Sequence, residues 1–164
     1  MTPKPTGTVT RTELIITRAF RAPIDDGWAS ITESDRTARW YGPWTSTDQP
    51  PRPGSTVSVQ LLFEEGQPWG DARIEACVPP TSLHLALLAG PSEEDMWHVA
   101  LDLVESSGST RLTLTQQLGP GIDPADIGPG WEYYLDMLVA ARNGMPLPDF
   151  ADYYPLMSEH YSAK

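Results

Sequence analysis

Cysteine is all but missing from this chain: Cys77 is its one thiol, so no internal disulfide can form. A reducing, cytoplasmic home is the expectation that follows, with Cys77 itself a small buried hydrophobe rather than a reactive group. Basic residues are scarce too. The 11 Lys and Arg stand against 22 Asp and Glu, and the net charge of −11 repels phosphate backbones and anionic headgroups. Neither nucleic acid nor a membrane is therefore expected as a partner. No apolar run nears the roughly 20 residues that cross a bilayer, so a soluble chain is expected. The opening from Met1 to Thr8 lacks the apolar centre of a signal peptide and reads as a frayed polar lead-in.

The familiar chemical motifs are also lacking. Gly119 to Gly130 holds neither G-x-G-x-x-G nor a Lys-Ser/Thr ending, so it is no phosphate loop and reads as a mobile rim, although Asp123-Pro124 also suits the start of a helical turn. No Ser sits in a G-x-S-x-G elbow. His84, His98 and His160 lack metal-ligand spacing, and neither a metal nor a cofactor is expected. The acidic clusters Asp25-Asp26, Glu64-Glu65 and Glu93-Glu94-Asp95 fall at a helix start and in turns, where solvation and the helix dipole account for them. No catalytic residue is nominated.

What the chain does have is alternation. Leu14, Ile16, Arg18 and Phe20 share one strand face, and Pro23 then opens a short helix carrying Ile24, Trp28 and Ile31. Ser34 suits the N-cap of a second short helix with Ala38 and Trp40, stopped by Gly42-Pro43. Further strands follow at Val57 to Phe63, Ala72 to Val78, Leu83 to Leu87, Trp97 to Leu103 and Leu112 to Leu118, with a hairpin turn at Ser106 to Ser109. No helix separates them, so they pair antiparallel. Trp131, Tyr134, Leu135, Leu138 and Arg142 then mark one amphipathic helix, from about Trp131 to Arg142, ending at Asn143-Gly144. A lone helix with an apolar face must cover a sheet. The fold class is thus α+β: a curved antiparallel sheet around one long C-terminal helix, with two short helices after the first strand.

At 164 residues this is one domain, 1–164, burying roughly 70% of the unfolded surface without a staple. Its core spans about 10–144, and an aromatic extension, 145–164, carries Phe150, Tyr153, Tyr154, Met157 and Tyr161. So aromatic a tail is expected to dock, on its own core or in a homodimer.

Several patterns in sequence order resemble one family. They are Leu14-Ile-Ile-Thr-Arg-Ala-Phe-Arg-Ala-Pro23, Trp28, Ala38-Arg-Trp40-Tyr-Gly-Pro43, Pro79-Pro80 before Leu83, Gly108-Ser-Thr-Arg-Leu-Thr-Leu-Thr115, and Gly130-Trp131 with Leu135-Asp136 and Leu138. Together, over about Leu14 to Arg142, they resemble the heat-shock-protein-90 ATPase activator homologue-like domains of the START/SRPBCC superfamily. That resemblance implies a helix-grip fold with six or seven strands and a cavity between sheet and helix. It implies no shared catalytic constellation. Two departures stand out: Gly27, which suggests extra room beside Trp28, and Gln116, where many relatives carry histidine.

The expected activity is the holding of a small hydrophobic or aromatic molecule by Trp28, Trp40, Trp97, Trp131, Tyr134 and Leu138, because indole walls stack on flat ligands. Trp69 shares parity with Asp71, Arg73 and Glu75 and is expected to face solvent. Arg18 and Gln116 lie on apolar faces, where a polar group needs a partner, and both are candidates to orient a ligand. The alternatives are a polyketide cyclase or aromatase, an antibiotic self-resistance protein, and a co-chaperone-like interaction module.

Overall fold

The computed structural model describes residues 2–88 and 92–162. Met1 and the last two residues of the extension lie outside them. The strands are β1 (Thr8–Val9), β2 (Glu13–Phe20), β3 (Trp44–Ser46), β4 (Thr56–Gln60), β5 (Trp69–Val78), β6 (Ser82–Leu88), β7 (Met96–Ser106) and β8 (Ser109–Gln117). They form one sheet in the order β1-β2-β8-β7-β6-β5-β4-β3, every pair antiparallel. Eight strands exceed the six or seven expected, because the two- and three-residue edge strands β1 and β3 are too short to show a period. The helices are α1 (Ile24–Thr32), α2 (Ser34–Thr37), α3 (Pro124–Asn143) and α4 (Ser158–Tyr161).

The expected alternation is what builds the inner face. Leu103, Leu112 and Arg18 share one cross-strand row, Leu101, Leu114 and Ile16 the next, and Val99, Gln116 and Leu14 a third. On β5 the register slips between Ile74 and Ala76. This bulge changes phase, so that Cys77, not Ala76, pairs beside the inward Leu83. The hairpin turn at Ser106 to Ser109 forms as expected, with Ser107 and Gly108 both at positive φ.

Helix α3 begins seven residues before its expected start. Asp123 caps it by accepting from the Ala125 amide, and Pro124 fills its first position, where no N–H is needed. Pro129 and its flanking glycines make the first two turns look like loop, and they are helix because tertiary contact overrides propensity. A Cβ on Gly128 would lie 2.5 Å from the Tyr161 ring, so this glycine is the seat of that side chain. Of the stretch expected to form a rim, only Gly119 to Ile122 precedes the cap of α3, and none of these four lines the cavity described below.

The second short helix is also corrected. It covers only Ser34–Thr37, and the Ser34 hydroxyl bonds the Trp44 backbone instead of capping. Gly42 then passes so close to β4 that a Cβ would sit 1.7 Å from the Gln60 carbonyl oxygen. The space expected beside Gly27 is filled by the Phe20 ring, 3.1 Å from where a Cβ would be.

Candidate functional site

Between α1, α2 and the inner faces of β4 to β7, with Trp131 of α3 at one wall, lies an apolar cavity of about 530 Å³. Its aromatic wall is Trp28, Trp40, Tyr41, Trp44, Trp97 and Trp131, and its aliphatic floor includes Val57, Ile74, Leu83, Leu85, Leu87, Val99 and Leu101. The strands contribute mainly alternate residues, such as Leu83, Leu85 and Leu87 of β6, and Cys77 joins them through the β5 bulge. The volume falls within the range of pockets that take drug-sized ligands.

The indoles are held in different ways. Trp40 donates to the Ser30 carbonyl at 2.9 Å and Trp44 to the Thr32 carbonyl at 2.9 Å, so both are pinned to α1. Trp131 donates to the Gln116 side-chain oxygen at 2.6 Å in a fully buried contact. The Trp28 and Trp97 N–H groups have no hydrogen-bond partner among the described residues, although both rings line the cavity. These two remain free to donate.

One carboxylate borders this space at its solvent-exposed edge. Glu64, in the β4–β5 connection, accepts from the Tyr134 hydroxyl at 2.8 Å, and the Tyr41 ring meets the Tyr134 ring edge-on with centroids 4.9 Å apart. Burial, with help from the Glu64 charge, pushes the Tyr41 hydroxyl up to about 12. Burial likewise raises Tyr134, reinforced by its bond to Glu64. Asp71 also touches the cavity, but its side chain accepts from Ser58 on the opposite, outer face of the sheet. Burial raises the Cys77 thiol. Cys77 and the two tyrosines therefore stay protonated at neutral pH and can donate hydrogen bonds.

Of the eight residues singled out from sequence, Trp28, Trp40, Trp97 and Trp131 line the cavity. Tyr134, Leu138, Arg18 and Gln116 do not. Leu138 is 1% exposed and packs into the solid core where α3 meets the sheet. Tyr134 sits behind Tyr41, and Gln116 behind Trp131.

Arg18 is engaged elsewhere. It bonds Glu132 at 2.8 Å and Asp136 at 2.7 Å, both on α3. Tyr41, Trp44, Glu64 and Cys77 were missed from sequence. The dense run Trp40-Tyr-Gly-Pro-Trp44 was the available signal for the first two. Trp69 faces solvent as expected, and the histidine pairs His84–Asp102 and His98–Glu75 lie half exposed on outward-facing strand positions. No cluster of three metal-ligating side chains occurs among the described residues, and no helix of them is long and apolar enough to cross a membrane.

Comparison with known proteins bears on this architecture. A family model described as Activator of Hsp90 ATPase homolog 1-like protein matches residues 21–142. The crystal structure of CalU16 from Micromonospora echinospora is 24% identical, with TM-score 0.71, covering 91% of this chain and 85% of its own. A Bordetella parapertussis protein, encoded by gene BPP1335, is 23% identical at TM-score 0.68 over 100% and 98% of the two chains. DynU16, a protein in the dynemicin biosynthetic locus, is 21% identical at TM-score 0.67 over 87% of this chain and 50% of that one. No functionally curated protein matches the sequence.

Proposed function

From the premise that this chain belongs to the Activator of Hsp90 ATPase homolog 1-like family and has its helix-grip fold, we propose that it binds a small, largely apolar or aromatic molecule. The carrying observation is the cavity of about 530 Å³ whose wall holds six aromatic rings. A filled core of this sheet would leave no such hollow, since protein interiors close to organic-crystal density. With the Cys77 thiol and the Tyr41 hydroxyl protonated, the wall offers hydrogen-bond donors to a bound molecule.

The test is titration of intrinsic tryptophan fluorescence with fatty acids, flavonoids and polyketide-like aromatics. Protection of Cys77 from a thiol reagent is followed on the same samples. Saturable quenching with matching protection supports the reading, and Leu85→Trp, which projects an indole into the space, should abolish both while circular dichroism stays unchanged. Binding that survives Leu85→Trp places the ligand elsewhere.

The likeness to DynU16, from the dynemicin biosynthetic locus, favours a second reading in which the molecule is a natural-product aromatic that is cyclised or sequestered. Turnover of a polyketide-like substrate would favour the cyclase form. Stoichiometric capture without turnover would favour self-resistance.

A further inference from the structure

The cavity wall has an uneven charge inventory. No Lys, Arg or His is among the described residues that line it. Among the described residues Glu64, exposed at the open edge of the cavity, is the one charged side chain turned to it, because the Asp71 carboxylate is held by Ser58 on the outer face. One Glu64 oxygen is occupied by the Tyr134 hydroxyl and the other accepts from no donor among the described residues. Around it stand aromatic rings whose faces carry negative quadrupole charge, which attracts cations and repels anions. The Tyr41 hydroxyl is also without a hydrogen-bond partner among the described residues, and it stands close enough to Glu64 to feel its charge.

Resting on the cavity reading above, we propose that the ligand is a flat aromatic molecule bearing a protonated amine, its rings among the tryptophans and its ammonium against Glu64. A fatty acid or other carboxylate would meet Glu64 and the ring faces with no cation to receive it. The same wall that welcomes the ring body therefore discriminates by charge.

Three probes sharing one ring system test this: 1-pyrenemethylammonium, 1-pyrenemethanol and 1-pyrenecarboxylate, each titrated by energy transfer from tryptophan to pyrene. The ammonium should bind about tenfold tighter than the alcohol, and the carboxylate more weakly than either. In Glu64→Gln, whose amide oxygen can still accept from Tyr134, the preference for ammonium over alcohol should fall to about twofold. Glu159→Gln, which removes an exposed carboxylate on α4, serves as the control for the general acidic field and should leave the preference intact.

Equal binding of ammonium and alcohol overturns the proposal while leaving the cavity reading standing. So does a preference that survives Glu64→Gln, or one that Glu159→Gln reduces as much. Failure of all three probes together with the wider aromatic panel overturns the cavity reading itself.

Discussion

On one side of α3, Glu132 and Asp136 accept hydrogen bonds from Arg18, Thr6, Tyr153 and Tyr161, with nearly every polar atom partnered. On another, Trp131 borders an apolar hollow lined by Trp28 and Trp97, whose indole N–H groups have no partner among the described residues. The first side joins chain segments far apart in sequence. Thr6 and Gly7 come from the lead-in, Arg18 from β2, Glu132 and Asp136 from α3, and Tyr153 and Tyr161 from the extension. Burial alone would raise the Glu132 carboxyl, but bonds from Thr6, Tyr161 and Arg18 outweigh it and hold Glu132 below the ordinary carboxylate range. The difference teaches where each property resides. The polar clasp closes the fold, and the apolar hollow can stay open because the clasp, not the cavity wall, carries closure.

The largest effect expected of this division comes from cutting the clasp. Truncation after Gly144 removes Tyr153, Met157 and Tyr161, which are 2%, 3% and 0% exposed. At roughly 1.5–3 kcal/mol for each buried side chain the loss is about 5–9 kcal/mol, comparable to the whole stability of a domain. The truncated chain should show no cooperative thermal transition. A chain that still melts cooperatively would make residues 145–164 a separable extension and dissolve the comparison.

That result would also measure how far the sequence could be read. The strands, their pairing and the second half of α3 were legible because period-2 alternation and the 3.6-residue face are local signals. The expected aromatic extension does dock, and Tyr153, Met157 and Tyr161 bury against the same chain. The lead-in is not frayed: Thr6 and Gly7 bond Glu132 and Tyr161, and Thr8–Val9 pair with β2. Nothing local announces the Thr6 and Gly7 contacts, since Glu132 and Tyr161 lie more than 120 residues away. The same holds for Gly128, whose need for glycine is set by Tyr161. In the site, four tryptophans followed from parity and spacing. Cys77 required a bulge, and Glu64 a connection whose path no periodicity describes.

Next in size is Glu132→Gln. It leaves Arg18 with only Asp136 as a partner charge and places an amide where Thr6 and Tyr161 donate. Breaking a buried pair in this way costs about 3 kcal/mol at neutral pH, lowering Tm by roughly 6–12 °C. The depressed Glu132 pKa fixes the sign of the pH dependence. Its stabilisation is fully present above the ordinary value of 4.5 and is lost as pH falls through the lower folded value. The gap in stability between wild type and variant should therefore be constant from pH 7 to about 5 and narrow below. Cavity binding at pH 7 should be unaltered, and a loss of binding proportional to the loss of stability would show the two sides to be coupled.

The smallest effect is expected at Gln116, where the two sides come nearest. Its oxygen fixes the Trp131 indole, while its amide nitrogen is buried without a partner. Gln116→Leu strands the Trp131 N–H, a cost of about 1–3 kcal/mol, but also removes the orphaned amide, so the net loss should be about 1 kcal/mol. Denaturant unfolding would register that as a modest shift in midpoint with unchanged slope. Ligand affinity should fall more than stability does, because an unpinned indole must be ordered again on binding. Were stability to fall by as much as in Glu132→Gln with affinity unchanged, Gln116 would belong to the closing side of α3, and the wall of the cavity would begin at Trp131 alone.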